Sequence, residues 1–214
     1  MQNILTTLYL ALGVAVALAV HELAEAYVAM RLGDRSAQRM GWLRLDVRAM
    51  ADPFGTFVLP AILLLPTLFG SAVFYPFAYA KPMPLNPWSL RRPGRDETLV
   101  HVSGPIANVA LAFAFGALLR ATPIASQPFR LVVALLQTTL IIGVLNLLPI
   151  PPLDGSRIIT RFLPPRARDF YSNLQPYGAL FMLVIFFVLS SPIGAFVSGV
   201  GGGICQAVAG FHCL

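Results

Sequence analysis

His21, Glu22 and Glu25 are the residues whose types and spacing could do chemistry. Positions i and i+4 of a helix share a face, so His21 and Glu25 could grip one metal ion while Glu22, one position on, reaches a water beside it. This is the logic of helical metal sites that activate water for hydrolysis, with one ligand exchanged. Alone, H-E-x-x-E is a weak signal, and a polar helix stripe packed against other helices fits it equally well. The setting sharpens the question. The cluster sits inside an apolar run from Ile4 to Met30, long enough to cross a bilayer, where an ionisable group needs a reason and the reason is usually function.

The elements that must position this cluster are apolar throughout. Of 214 residues, 57% are hydrophobic and 11% charged, and the mean hydropathy is +0.75, which excludes a water-soluble core and implies an integral membrane protein. The net charge of +6 comes from arginines in the connections between apolar runs, where it meets lipid headgroups; no nucleic-acid module is present. Neither a basic n-region nor a small-residue cleavage site precedes the cluster, so the first helix is expected to remain in the mature chain. Cys205 and Cys213 match no zinc or redox spacing. With no internal repeat or linker, residues 1–214 read as a single transmembrane domain.

Five apolar runs stand out, Ile4 to Met30, Phe54 to Ala80, Leu99 to Leu119, Leu131 to Ile150 and Tyr177 to Leu189, followed by a weaker Gly-rich run from Ile193 to Phe211. The second is broken by Pro60, Pro66, Gly70 and Pro76, so it either spans or turns back. Loop charge decides between these, because Lys and Arg collect on the cytoplasmic side. If the second run spans, the 15 basic side chains split almost evenly and orient nothing. If it is re-entrant, only Arg120 and Arg130 oppose all the others. The re-entrant reading puts the N-terminus outside and the basic loops in the cytoplasm. His21 then lies roughly 15 Å inward of Arg31, nearer the cytoplasmic face. The fold class is an all-α polytopic bundle with a re-entrant hairpin and short strands between Gly41 and Gly55.

A second polar patch ends the fourth run, Asn146-Leu147-Leu148-Pro149-Ile150-Pro151-Pro152-Leu153-Asp154-Gly155. Its prolines stop a regular helix before Asp154, which therefore stands on irregular backbone at the membrane edge, on the face nearer His21. From there Asp154 could supply a third ligand. With these motifs in view the sequence resembles the site-2 protease family of intramembrane zinc metalloproteases, in its short bacterial branch without PDZ or CBS domains. The likeness runs over most of the chain: His21-Glu22-Leu23-Ala24-Glu25 for the family's HExxH, Leu32-Gly33-Asp34, Asp52-Pro53-Phe54-Gly55-Thr56, Ala80 to Pro87, Ser103-Gly104-Pro105-Ile106-Ala107-Asn108, and the N-x-x-P…L-D-G run to Gly155. The resemblance implies one zinc ion held by His21 and Asp154, with Glu25 at the remaining ligand position. It makes Glu22 the base that activates water and Asn146 a polar residue beside the catalytic site. The implied substrate is a transmembrane segment of another protein.

Two imidazoles of the family pattern are absent. Glu25 replaces the second histidine, and Met50-Ala51 precede Asp52-Pro53 where many relatives carry a histidine. Glutamate ligates zinc, and His21, Glu25 and Asp154 would leave a fourth position open. Two carboxylates, however, neutralise the ion, weaken its effect on water, and bring Mn or Fe into range. The result is either a slower enzyme or a non-catalytic pseudoprotease that binds membrane partners or serves as a subunit of a larger assembly. His101 shares a helical stripe with Gly104, Pro105 and Asn108 and could replace the missing imidazole; a hydrogen-bonded histidine at headgroup level is its plainer reading. Asn108 could hold an extended substrate backbone, or simply serve helix packing. Trp42 and Trp88 read as interface anchors without chemistry, and His212 as incidental.

Overall fold

The computed structural model describes residues 2–70, 75–124, 126–174, 177–188 and 190–210; Cys213 and His212 lie outside them. Helices account for 76% of the chain and there is no strand among the described residues. Four helices are long and apolar enough to cross a membrane, so the chain is an all-α integral membrane protein as its composition requires.

Helix α1 (Gln2–Leu32) runs unbroken because no glycine or proline interrupts its second half, and it carries all three residues of the His-Glu-x-x-Glu cluster. It stops at Gly33, whose φ of +118° few side-chain-bearing residues adopt. There the Gly33 and Asp34 N–H groups close back on the Met30 and Ala29 carbonyls. Helices α2 (Ser36–Arg39) and α3 (Val47–Met50) and a 3-10 turn at Trp42–Arg44 follow. The strands expected between Gly41 and Gly55 are therefore absent. Asp46 and Asp52 accept hydrogen bonds from the backbone N–H groups just beyond them, which starts short helical turns, and the stretch has no neighbouring strand to pair with.

After a wide π-type turn (Pro53–Val58), helix α4 (Leu59–Leu68) has only ten residues. That is about 15 Å, half of a hydrocarbon core of about 30 Å. The chain then returns to where it left: the Tyr79 N–H donates to the Gly55 carbonyl at 3.1 Å and the Lys81 N–H to the Met50 carbonyl at 2.8 Å. The two arms thus meet as a hairpin, and residues 71–74 between them lie outside the described residues.

Helix α5 (Arg95–Arg120) opens with Asp96 and Glu97 and closes on Arg120, charges that suit its dipole. Helix α6 (Gln127–Leu145) begins where the Ser126 hydroxyl accepts from the Phe129 N–H. Helices α1, α5 and α6 each pack against the other two. Gly13 of α1 meets Thr138 of α6, and Val14 and Leu18 share a buried cluster with Ile141 and Leu145 further along, so α1 and α6 run parallel. Asn108 of α5 meets Gly143, and Leu119 packs with Val132, so α5 is antiparallel to both. The C-terminal ends of α1 and α6 and the start of α5 thus share one end of the bundle.

Helices α7 (Asp154–Thr160) and α8 (Pro165–Leu174) lead to α9 (Gly178–Val188) and α10 (Ser190–Ala209). Here the hydropathy ranking of the last two runs is reversed. The stronger run makes only the eleven-residue α9, whereas the weaker Gly-rich one makes a helix of spanning length, because small residues cost little in a helix that packs on others in lipid.

Asp34 ties the segment after α1 to the segment before α5. Its buried carboxylate accepts from the Ser36 N–H and hydroxyl at 3.0 and 2.7 Å and from the Asn86 N–H at 2.8 Å. Burial alone would raise its pKa, but these donors and Arg39 hold it below the ordinary carboxylate value. A carboxyl depressed on folding stabilises the protein above its unfolded pKa and loses that contribution as pH falls. Asp34→Ala is therefore expected to cost about 1–3 kcal/mol at neutral pH, with the difference from wild type narrowing below about pH 4; thermal unfolding in detergent across a pH series measures it.

Candidate metal centre

The shared end of the bundle is where the sequence's polar residues meet. On α1, His21, Glu22 and Glu25 are buried. On α5, His101, Gly104 and Asn108 lie at helical spacing and face α1. The antiparallel register sets Gly104 and Asn108 against His21, and His101 one turn further along against Glu25. A Cβ on Gly104 would collide with the His21 ring where it now lies, so glycine gives the ring its place between the two helices.

Asp154 arrives from the turn after α6. The Gly155 N–H donates to the Asn146 carbonyl at 2.7 Å, and a Cβ at position 155 would strike the backbone carbonyls of Leu147 and Leu148. The proline-rich turn is thus folded back against the end of its own helix, which aims Asp154 inward. Asp154 Oδ2 lies 2.7 Å from His21 Nε2. One ligand atom from each of His21, Glu25 and Asp154 lies within 4.8 Å of the others. His101 Nδ1 is 3.1 Å from Glu25 Oε1 and 3.6 Å from Asp154 Oδ1. Beside the trio opens a cleft of about 220 Å³, with Glu22, Glu25, Asn146, Asp154, Lys81 and Arg157 in its wall. A second, apolar groove between α1 and α4 also reaches Glu22.

Two residues are placed differently from their reading in sequence. Asn108 is wholly buried and its Nδ2 lies 3.3 Å from His21 Nδ1, so it reaches no surface where an extended peptide could lie. Trp42 is 2% exposed rather than at an interface, and its indole N–H donates to Glu22 Oε2 at 3.2 Å. Trp88, by contrast, is 91% exposed, as an anchor would be. No signal in the sequence marked Trp42, because twenty residues and a turn separate it from its partner. His101 was visible as one of a helical stripe, but its contact with Glu25 depends on helix register. Asn146 lines the cleft, with its amide donating to the Ile142 carbonyl at 2.9 Å.

An imidazole and two carboxylates that could hold a metal ion, next to a further carboxylate and among helices apolar enough to cross a membrane, are a donor set of the kind membrane metallopeptidases use. Comparison with known proteins agrees. The profile of peptidase family M50 matches residues 121–190, which include α6, the turn and Asp154. The chain is 35% identical over 200 residues to YwhC of Bacillus subtilis, named as a candidate zinc metalloprotease, covering 88% of this chain and 83% of that protein. It is 33% identical over 187 residues to Rip2 of Mycobacterium tuberculosis, another candidate zinc metalloprotease, covering 81% of this chain and 64% of that one. The Rip2 of Mycolicibacterium smegmatis is 29% identical over 183 residues, with the same shares. No solved structure matches. The chain belongs to peptidase family M50, the site-2 protease family.

The two glycines predict a ranking. A Gly104→Ala methyl meets a side-chain ring that can rotate, whereas a Gly155→Ala methyl meets fixed backbone. Gly104→Ala is expected to cost about 1–3 kcal/mol and Gly155→Ala more, as read from thermal unfolding in detergent.

Proposed function

We propose that this chain is a single-domain intramembrane metalloendopeptidase that hydrolyses a peptide bond in a transmembrane segment of another protein. In this reading one zinc ion is held by His21, Glu25 and Asp154, Glu22 is the general base, and Asn146 is a polar residue of the cleft wall. The observation that carries it is the convergence of the three donors beside Glu22 and an open cleft.

The donor set suits zinc on two counts. In tetrahedral geometry, bonds of about 2.0–2.2 Å set donors roughly 3.3–3.6 Å apart, so a trio lying within 4.8 Å of one another closes on an ion by shifts of no more than about 1.5 Å. A histidine that ligates through Nε2 carries hydrogen on Nδ1 and needs an acceptor there. Asn108 faces that atom, and its Oδ1 is buried without a hydrogen-bond partner among the described residues. A turn of the amide supplies the acceptor, since its oxygen and nitrogen are interchangeable in shape.

When bound, zinc polarises water and the scissile carbonyl. Glu22 takes the proton from the attacking water and passes it to the leaving amine. Trp42 fixes one Glu22 oxygen, so the other is free to act in the cleft. Asp154, which the structure places at the first residue of α7 just past the proline turn, and Glu25, on α1, close the two sides of the site. The apolar groove at α1 and α4 suits an apolar peptide entering from lipid. The charge asymmetry of the loops and the returning hairpin favour an N-terminus outside the cell and basic loops in the cytoplasm of a bacterial inner membrane.

One observation favours a second reading, a pseudoprotease that only binds transmembrane partners. His21 pairs with Asp154 and His101 with Glu25 within the protein itself, so the polar groups are partnered without an ion. Metal analysis and a cleavage assay with a transmembrane test peptide separate the two. The peptidase is expected to bind one zinc per chain and Glu22→Gln to slow cleavage by about 10²–10⁴-fold. A chain that binds zinc but cleaves no better than Glu22→Gln is the pseudoprotease. Trp42→Phe keeps an aromatic side chain but loses the N–H, and is expected to lower kcat with KM nearly unchanged, since it touches the base and not the peptide.

A further inference from the structure

Glu25 stands one helical turn from His21, where the two-histidine pattern puts an imidazole. The structure supplies an imidazole one layer further out. His101 is 1% exposed, with Nδ1 3.1 Å from Glu25 Oε1 and 3.6 Å from Asp154 Oδ1. An ionised carboxylate can only accept, so Nδ1 carries the hydrogen and donates to Glu25. A nitrogen that carries hydrogen has no lone pair for an ion, which argues against His101 as a ligand through that atom.

We infer that His101 is a positioning residue of the metal centre: reaching across from α5, it holds the Glu25 carboxylate in its ligating orientation, steadies Asp154, and so makes up for the imidazole that α1 lacks. This rests on the reading that His21, Glu25 and Asp154 bind the ion. Its physical basis is the difference between the two ligand types. A glutamate reaches an ion on a long side chain with several rotatable bonds, and fixing it costs more rotamer freedom than fixing a ring. Ligating carboxylates are accordingly hydrogen-bonded by a second layer of residues that set their direction and basicity. His101 suits this task, since α5 packs closely on α1 where Gly104 meets His21 and places its buried imidazole one turn away against Glu25.

The test is zinc binding by competition titration of the full chain in detergent, with cobalt absorption spectra as a second readout that does not depend on activity. His101→Phe is expected to lower zinc affinity by about 10–100-fold at unchanged stoichiometry. His101→Gln retains an N–H able to reach Glu25 and should recover most of the loss, while leaving the cobalt spectrum that of the wild-type ligand set. In a Glu25→His background the effect of His101→Phe should shrink, because the carboxylate it serves is gone. Circular dichroism and thermal unfolding of the same samples establish that each variant is folded. Equal zinc affinity in wild type and a folded His101→Phe overturns the inference alone. A cobalt spectrum in His101→Gln that reports a lost nitrogen ligand also overturns it, since His101 would then be on the ion. A wild-type chain that takes up no metal overturns the metal-site reading and this inference with it.

Discussion

The structure turns on the contact between His21 Nε2 and Asp154 Oδ2, 2.7 Å apart and 133 residues apart in sequence. Neither group would be stable alone in an apolar helix bundle, because removing an ionisable side chain from water costs several kcal/mol unless a partner offsets it. Each supplies what the other lacks. The requirement that they meet then dictates much else: α1 and α6 must run parallel, so that the middle of one and the end of the other reach the same depth. That in turn requires a crossing between them, which α5 makes.

Close packing is the second constraint, and it follows from the first. Lipid gives helices little hydrophobic reason to associate, so they hold together by contact and by hydrogen bonds between them. Small residues appear where the polar side chains need room. Gly104 admits the His21 ring, Gly143 faces Asn108, and Gly13 faces Thr138, whose hydroxyl donates to the Ala134 carbonyl within its own helix. Five ionisable side chains, His21, Glu22, Glu25, His101 and Asp154, gather in this one region, and each has a polar partner. A set of that kind is expensive to leave half-satisfied in a low dielectric. It holds the end of the bundle in a single arrangement.

The parts legible in the sequence were those governed by local rules. Hydropathy marked α1, α5 and α6, proline placement separated Asp154 from the helix before it, and charge asymmetry along the loops pointed to a hairpin over 54–80 that the Gly55 to Tyr79 hydrogen bond closes. What escaped was set by packing between distant elements. Trp42 looked like an interface residue because its type and its basic surroundings are those of one, yet the turn at Gly41 carries it under α1 to Glu22. Asn108 was a polar residue on a helix stripe, with nothing in its spacing to say whether the stripe faced a substrate or another helix. The hydropathy of α9 and α10 misled for a different reason. A strongly apolar sequence is not the same as a long helix, and glycine, which lowers hydropathy, does not prevent one in a packed bundle.

In the proposed metal site, Glu25 and His101 form a pair in which each residue depends on the other. Replacing a neutral imidazole by a carboxylate in a buried position adds a negative charge to a site that already holds Glu22 and Asp154. A carboxylate buried there calls for a hydrogen-bond donor of its own. An imidazole on the facing helix, in register with Glu25 rather than with His21, supplies that donor without adding to the ligands. The two positions are 76 residues apart and touch only because α1 and α5 are antiparallel with Gly104 between them, so the two residue types make physical sense together and neither does by itself.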